Sequence, residues 1–183
     1  MGIHTDIRRA VFLDRDGVIT RPLVRNGRPF APRTLDELEI LPGVPEALRR
    51  LRGAGFELVV VTNQPDVARG TTGLDEIRRM HVRLTDALPI DDVRVCPHDD
   101  ADACECRKPK DGLLRAAARE RRLSLGDSFM IGDRWRDMEA GARAGCRTVF
   151  VDWSYDEPRP VSVDKIVRSL PEAVEWILTE GTA

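Results

Sequence analysis

The sequence predicts an α/β fold in which a parallel sheet carries helices on both faces. Three observations predict it. Short apolar runs such as "RAVFLD" and "FELVVVTN" have no alternating polar positions, as expected of strands buried on both sides. Amphipathic stretches of helical period separate these runs, in the strand–helix rhythm of parallel crossovers. Polar residues follow the runs immediately, and ligands collect beyond the C-terminal ends of parallel strands.

Each element can be justified in order. "RAVFLD" (9–14) is the first buried strand. The stretch 20–43 is rich in Pro and Arg and is expected to be a loop beside the site, with a short helix at 35–38. "VPEALRRLRGAG" is a helix: Val44, Ala47, Leu48 and Leu51 share a face, and Gly53 and Gly55 stop it. "FELVVVTN" (56–63) is the second buried strand. "LDEIRRMHVRLTDAL" is an amphipathic helix with Leu74, Ile77, His81 or Val82, and Leu84 toward the core. "DVRVCP" is a short strand that leads into a cysteine-rich loop. "DGLLRAAARERRL" is a helix, "DSFMIGD" (127–133) a strand, and "WRDMEAGARAG" a helix ended by Gly145. "CRTVFVD" is another strand. "PEAVEWILTE" closes the chain as a helix, with Pro171 tolerated in its first turn. The whole is a Rossmann-like sheet.

The 183 residues suit one globular domain, expected over 1–183. They are 42% hydrophobic and 33% charged, enough to bury a core and remain soluble. The net charge of −2 offers no bulk attraction for nucleic acid or for a membrane. No apolar run approaches the roughly 20 residues needed to span a bilayer. The first residues lack the long apolar segment of a signal peptide. A cytoplasmic monomer with reduced thiols is expected.

Three strand ends carry chemistry. In "FLDRDGVIT", Asp14 and Asp16 flank one residue at the mouth of a buried strand, and Gly17 lets the chain turn away. Such a pair can hold Mg2+ through oxygen. One carboxylate can also attack phosphorus while the other moves protons. The plainer reading is an acidic turn. Thr62 and Asn63 end the second strand, where a hydroxyl and backbone amides can bind a phosphoryl oxygen, or simply cap the strand. Asp133 follows "FMIG" and opens a helix, so it can ligate Mg2+, act as an N-cap, or both; Asp137 lies one turn on and can orient its neighbours. Lys108 can neutralise charge developing on a phosphoryl group. Alone it would be a surface lysine.

"CPHDDADACECRKP" (96–109) gathers Cys96, His98, Cys104 and Cys106 in one loop. Thiolates and an imidazole suit Zn2+, and four protein ligands make a closed, structural site. Arg107 and Lys108 follow at once, so a metal that folds this loop would present both cations to the strand ends. Cys146 stands apart and reads as a small buried residue. His81 reads as a structural or surface residue rather than a catalytic one, His4 as part of a frayed end, Trp176 as core, and Trp153 and Tyr155 as the rim of a site.

Asp-x-Asp, Thr, Lys and Gly-Asp-x-x-x-Asp occur in that order, and over nearly its whole length the chain resembles the haloacid dehalogenase superfamily of phosphohydrolases. The resemblance implies that Asp14 is the nucleophile that forms an aspartyl-phosphate and Asp16 the acid/base. It implies that Thr62 and Lys108 hold the phosphoryl group. It implies Mg2+ bound by Asp14, Asp133 and the backbone carbonyl of Asp16. The cysteine loop, with "FLDRDGVI", "VVTNQ" and "ARG", looks like the heptose 1,7-bisphosphate 7-phosphatases. The histidinol-phosphate phosphatases are close relatives with the same zinc pattern. These families lack a large cap domain, and 20–43 is too short for a helical cap. By resemblance, Asn63, Arg107 and Arg134 contact substrate, a small phosphorylated sugar. The departures are Pro65-Asp66 after Asn-Gln, Lys110-Asp111-Gly112 after the Arg-Lys-Pro, and Arg134 where lysine is frequent. The rival activities are hydrolysis of histidinol phosphate or of another sugar phosphate. A different class of function is a zinc-stabilised phosphate-binding module without catalysis.

Overall fold

The computed structural model describes residues 8–179. In chain order the strands are β1 (Arg8–Leu13), β2 (Leu23–Arg25), β3 (Arg28–Phe30), β4 (Glu57–Asn63), β5 (Asp92–Cys96), β6 (Leu123–Gly132), β7 (Arg147–Val151) and β8 (Lys165–Val167). The helices are α1 (Val44–Gly53), α2 (Leu74–Ala87), α3 (Gly112–Arg121), α4 (Trp135–Ala144) and α5 (Leu170–Thr179). Six strands form one parallel sheet in the order β5-β4-β1-β6-β7-β8. After β1 the chain builds outward on one side through β4, and later on the other through β6. The connections therefore diverge at the C-terminal end of β1, and that divergence opens a crevice there.

Alternation along β1 shows why its run is apolar throughout. Val11 and Leu13 enter one core with residues of α1, α2 and α5, among them Leu48, Leu84 and Val174. Ala10 and Phe12 enter the other with Leu114 of α3 and Met138 of α4. Successive side chains point to opposite faces, so a strand covered on both sides must be apolar at every position. No large cap interrupts the chain between these elements, and no helix among the described residues is long and apolar enough to cross a membrane. Trp176 is buried against Phe129, with ring centroids 6.1 Å apart.

Three local expectations are corrected. On α2 the buried residues are Ile77, Met80 and Leu84, whereas Leu74 and Val82 are 41% and 57% exposed. The i, i+3, i+7 ridge faces the sheet, and Met fills the gap that His81 or Val82 was expected to fill. Strand β6 begins at Leu123, earlier than expected, because its first residues pair with Arg8 and Arg9 before a register shift. The intervening "LGDS" looks like a turn in sequence and is an irregularity inside a strand. The segment 20–43 is not a plain loop, because β2 and β3 form an antiparallel hairpin in it. Asn26 and Gly27 join them with φ of 51° and 74°, the left-handed pair that a tight two-residue hairpin turn needs. The short helix expected at 35–38 is present, as a single 3-10 turn, Leu35–Glu37. At the sheet edge β8 adds a strand of three residues, too short to stand out in sequence. His4 lies outside the described residues.

Candidate active site

Asp14 leaves the sheet at the crevice. Its backbone N–H still donates to Ile131 O (2.9 Å), which fixes it to the ladder of β6. The chain then turns sharply. Gly17 N–H donates to Thr20 O (2.8 Å), and the N–H groups of Ile19 and Thr20 both donate to Arg15 O (2.9 Å each). Gly17 has φ of +86°, and a Cβ there would lie 1.9 Å from Asp133 Oδ2. Only glycine satisfies both the turn and the close approach of Asp133.

A buried charge cluster sits below the crevice. Lys108 Nζ donates to Asp14 Oδ1 (2.7 Å) and Val61 O (2.8 Å) and pairs with Asp137 Oδ1 at 2.6 Å. An ammonium has three protons, and all three find acceptors. Lys108 is only 2% exposed. Asp137 Oδ2 also accepts from the Arg134 backbone N–H at 3.0 Å and so caps α4. The close approach of Asp137 to β6 needs Gly132, where a Cβ would lie 2.2 Å from Asp137 Cβ. Asp133 is buried beside them. The Tyr155 hydroxyl donates to its Oδ2 (2.8 Å), and its buried Oδ1 has no hydrogen-bond partner.

Asp14, Asp133 and Asp137 each bring a carboxylate oxygen within 4.8 Å of the others. One lysine does not balance three carboxylates. Burial pushes the Asp14 carboxyl up to about 7 although the Lys108 ammonium opposes it, and Asp137 and Asp16 add to the rise. Burial, then Asp14 and Asp137, raise Asp133 as well. Burial opposes the charge on Lys108, but Asp137 and Asp14 outweigh it and raise its pKa. Excess negative charge, oxygen donors and an orphaned Oδ1 fit a hard divalent cation such as Mg2+.

The Asp16 carboxylate turns away from this trio and is held by four contacts. Arg15 donates from Nε to Oδ1 (3.0 Å) and from NH2 to Oδ2 (2.9 Å), Thr20 Oγ1 to Oδ1 (2.9 Å), and Gln64 Nε2 to Oδ2 (3.0 Å). Arg15 is itself fully buried, with NH1 3.2 Å from His81 Nε2. Burial, and then the Arg15 charge, lower the His81 pKa to about 4, so its neutral ring can accept from Arg15. His81 is thus a buttress of the site, in keeping with a structural role.

Of the other expected residues, Asn63 clamps the Lys108 backbone from both sides. Its Nδ2 donates to Lys108 O (3.1 Å) and its Oδ1 accepts from Lys108 N–H (3.2 Å). Thr62 is buried, and its hydroxyl accepts from Gln64 Nε2 (2.9 Å) beneath the cleft surface. Arg107 donates to His98 O (3.1 Å) and Asp100 Oδ1 (2.8 Å). Arg134 pairs with Glu157, Nε to Oε2 at 2.8 Å. Trp153 Nε1 donates to Gly17 O (2.8 Å) at the rim. A cleft of about 320 Å³ joins Asp14, Asp16, Asn63, Arg107, Lys108, Asp133 and Arg134. Thr62 and the cysteines are not on its wall.

Strand β5 ends at Cys96, and the loop folds back so that Cys96, His98, Cys104 and Cys106 converge. Cys96 Sγ lies 3.1 Å from Cys106 Sγ and 3.6 Å from Cys104 Sγ, and the latter two are 3.4 Å apart. His98 Nδ1 lies 3.6 Å from Cys96 Sγ and 3.3 Å from Cys106 Sγ. Metal–sulfur bonds of about 2.3 Å in a tetrahedron give S···S edges of roughly 3.8 Å. The cluster is close to that shape and could hold a metal ion. Cys146 is buried and apart from it.

Arg15, Gln64 and Glu157 were not singled out in sequence, and the lysine partner of Asp137 was not foreseen. Arg15 and Gln64 are adjacent to motif residues, but nothing in their spacing says that both grip Asp16. Asp137 carries the helical i+4 signal from Asp133, without a sign that Lys108 would meet it. Glu157 lies in an irregular loop that no periodicity marks.

A parallel sheet whose switch point gathers a buried aspartate, a paired lysine and a cation-seeking carboxylate trio defines a phosphoryl-transfer enzyme. Comparison with known proteins agrees. Residues 105–173 match a family model described as HAD-hydrolase-like, for haloacid dehalogenase. A D-glycero-D-manno-heptose-1,7-bisphosphate 7-phosphatase of Thermosynechococcus vestitus is 33% identical over 94% of this chain and 96% of its own. A D-glycero-beta-D-manno-heptose-1,7-bisphosphate 7-phosphatase of Rhodopseudomonas palustris is 40% identical over 75% of this chain and 80% of its own. The crystal structure of D,D-heptose 1,7-bisphosphate phosphatase from B. bronchiseptica, complexed with magnesium and phosphate, superimposes with a TM-score of 0.81. It is 30% identical and covers 94% of this chain and 99% of its own. The chain belongs to the haloacid dehalogenase superfamily of phosphoric monoester hydrolases and, within it, to the family of these heptose-bisphosphate phosphatases.

Proposed function

We propose that the protein removes the 7-phosphate of a heptose 1,7-bisphosphate, with Asp14 as the nucleophile. The observation that carries this reading is the Asp14–Lys108–Asp137 arrangement at the crevice, in a chain that matches heptose-bisphosphate phosphatases over nearly its full length. Asp14 Oδ1 is occupied by Lys108, so Oδ2 is the oxygen that attacks phosphorus. The Asp14 O–P bond forms as the ester O–P bond breaks, and Asp16 gives its proton to the departing sugar oxygen. Water then attacks the aspartyl-phosphate and yields its proton to Asp16. Inorganic phosphate leaves, and Asp14 is restored. Splitting the reaction replaces one hard step by two easier ones. Arg15, Thr20 and Gln64 hold Asp16 in line for both proton transfers. Lys108 neutralises charge on the transferring group, Thr62 supports Gln64 beneath the cleft, and Asn63 fixes where Lys108 points. Mg2+, held by Asp14, Asp133 and the carbonyl of Asp16, would neutralise the phosphoryl oxygens. Arg107 and Arg134 face the rest of a small sugar phosphate. The protein acts as one catalytic domain, a monomer in the cytoplasm, with no nucleic-acid or membrane partner.

In this account the Cys96, His98, Cys104 and Cys106 cluster binds Zn2+ as a closed structural site that presents Arg107 and Lys108. Removal of zinc by a chelator is expected to lower kcat and to speed amide exchange over 96–108. Full turnover with unchanged protection in the zinc-free protein would rule this role out.

The substrate reading is tested by phosphate release across both anomers of heptose 1,7-bisphosphate, histidinol phosphate and simpler sugar phosphates. One heptose anomer is expected to exceed the other substrates in kcat/KM by about 100-fold or more. A flat profile, or a preference for histidinol phosphate, would overturn it.

A further inference from the structure

The hairpin of β2 and β3 supplies one wall of the cleft, through Arg28, Pro29 and Phe30. Five arginines line that cleft, and four of them are already committed to carboxylates. Arg69 pairs with Asp99, Arg107 and Arg136 both pair with Asp100, and Arg134 pairs with Glu157. Arg28 is the exception. Among the described residues its side chain makes no hydrogen bond, ion pair or ring contact.

The turn that carries it is nonetheless anchored. The turn before it is a tight two-residue one, and Gly27 O accepts a hydrogen bond from Asp156 N–H at 2.8 Å. A Cβ at Gly27 would lie 3.0 Å from Asp156 Cβ, so the turn is packed on the loop after β7. That loop also carries Tyr155, which touches Asp133, and Glu157, which holds Arg134. The hairpin therefore stands in a set relation to the reacting centre. Across the two strands Arg28 pairs directly with Arg25, whose guanidinium lies 5.7 Å from the Phe30 ring centroid. Like charges opposite each other in a hairpin are unfavourable. An anion beside them would relieve that repulsion.

We propose that Arg28, on this hairpin, binds the phosphate that is not hydrolysed, the second phosphate of a bisphosphate substrate. This rests on the bisphosphate reading above. A guanidinium suits the role because its planar fork matches phosphate oxygens. The neighbouring Pro29 and Phe30 offer an apolar flank for the carbon skeleton between the two phosphates.

The test compares heptose 1,7-bisphosphate with the corresponding heptose 7-phosphate, in wild type, Arg28→Gln and Arg28→Lys, all with Mg2+. The readout is the ratio of kcat/KM between the two substrates, so that any loss common to both cancels. Wild type is expected to favour the bisphosphate. Arg28→Gln is expected to shrink that ratio by about 10-fold, through KM rather than kcat, as fits one exposed charge-assisted contact. Arg28→Lys is expected to restore part of it, since a point charge keeps the attraction without the fork. A wild-type preference that Arg28→Gln leaves intact would overturn the role of Arg28 while the substrate reading stands. Equal losses on both substrates would also overturn it. A wild type with no preference for the bisphosphate would overturn the substrate reading, and the role of Arg28 with it.

Discussion

Asp14→Asn is expected to reduce turnover by on the order of 10⁴-fold or more while the protein remains folded. The amide has nearly the shape of the carboxylate, and its oxygen can still accept from Lys108, 2.7 Å away in the native site. It cannot serve as the nucleophile that takes up phosphorus. The folded state should not suffer. Burial already pushes Asp14 up to about 7, well above the usual carboxylate range, so the fold disfavours its ionised form in the absence of a cation. Above the unfolded pKa that penalty grows with pH, and asparagine removes it. In metal-free protein near pH 7 the variant should therefore melt at the wild-type temperature or higher. Phosphate release and thermal melting on the same preparation check both halves. Near-normal turnover would sink the mechanism. A collapsed melting temperature would mean that Asp14 is held by contacts other than those described.

Lys108→Met is expected to be severe in a different way. It keeps the length of the side chain and removes its charge. Asp14 and Asp137 then lose the cation that sits 2.7 Å from one and 2.6 Å from the other, in a place where Lys108 is 2% exposed. Breaking a buried pair by deleting one partner costs about 3–5 kcal/mol, because the remaining charge stays desolvated. Three carboxylates would then face one another without a counter-charge. Denaturant melts at pH 7 should show the loss, and the difference from wild type should narrow toward acid pH as the carboxylates take up protons. Added Mg2+ should recover part of the stability, since it would supply the missing charge. Turnover should fall by about 10²–10³-fold from the lost neutralisation alone. A stable, active Lys108→Met protein would contradict the placing of this lysine at the centre of the site.

Much of this architecture could be read from the chain. The runs Ala10–Leu13 of β1 and Leu58–Val61 of β4 are apolar at every position because both faces of the sheet are covered, and their shortness favours strand over helix. The candidate residues Asp14, Asn63 and Asp133 could be singled out because ligands of parallel sheets collect beyond the strand ends. What could not be read depends on which side chains meet across the fold. The Asp137 contact with Lys108 joins two segments 29 residues apart through a fit that depends on Gly132. The hairpin had a local signature, Asn-Gly between short extended segments, but the surrounding Pro and Arg masked its apolar alternation. On α2, the choice of Met80 over Val82 depended on the rotation of the helix against the sheet, which periodicity fixes only to within a residue. The grip of Arg15, Thr20 and Gln64 on Asp16 follows from a turn whose geometry has no counterpart in residue spacing.

The most direct measurement of the central claim is phosphorus NMR of heptose 1,7-bisphosphate during incubation with the enzyme and Mg2+, with Asp14→Asn as the blank. The account predicts that the 7-phosphate ester signal disappears, inorganic phosphate appears in equal amount, and the 1-phosphate signal persists, with no change in the blank. Loss of the 1-phosphate instead, or hydrolysis by the blank at a comparable rate, would contradict it.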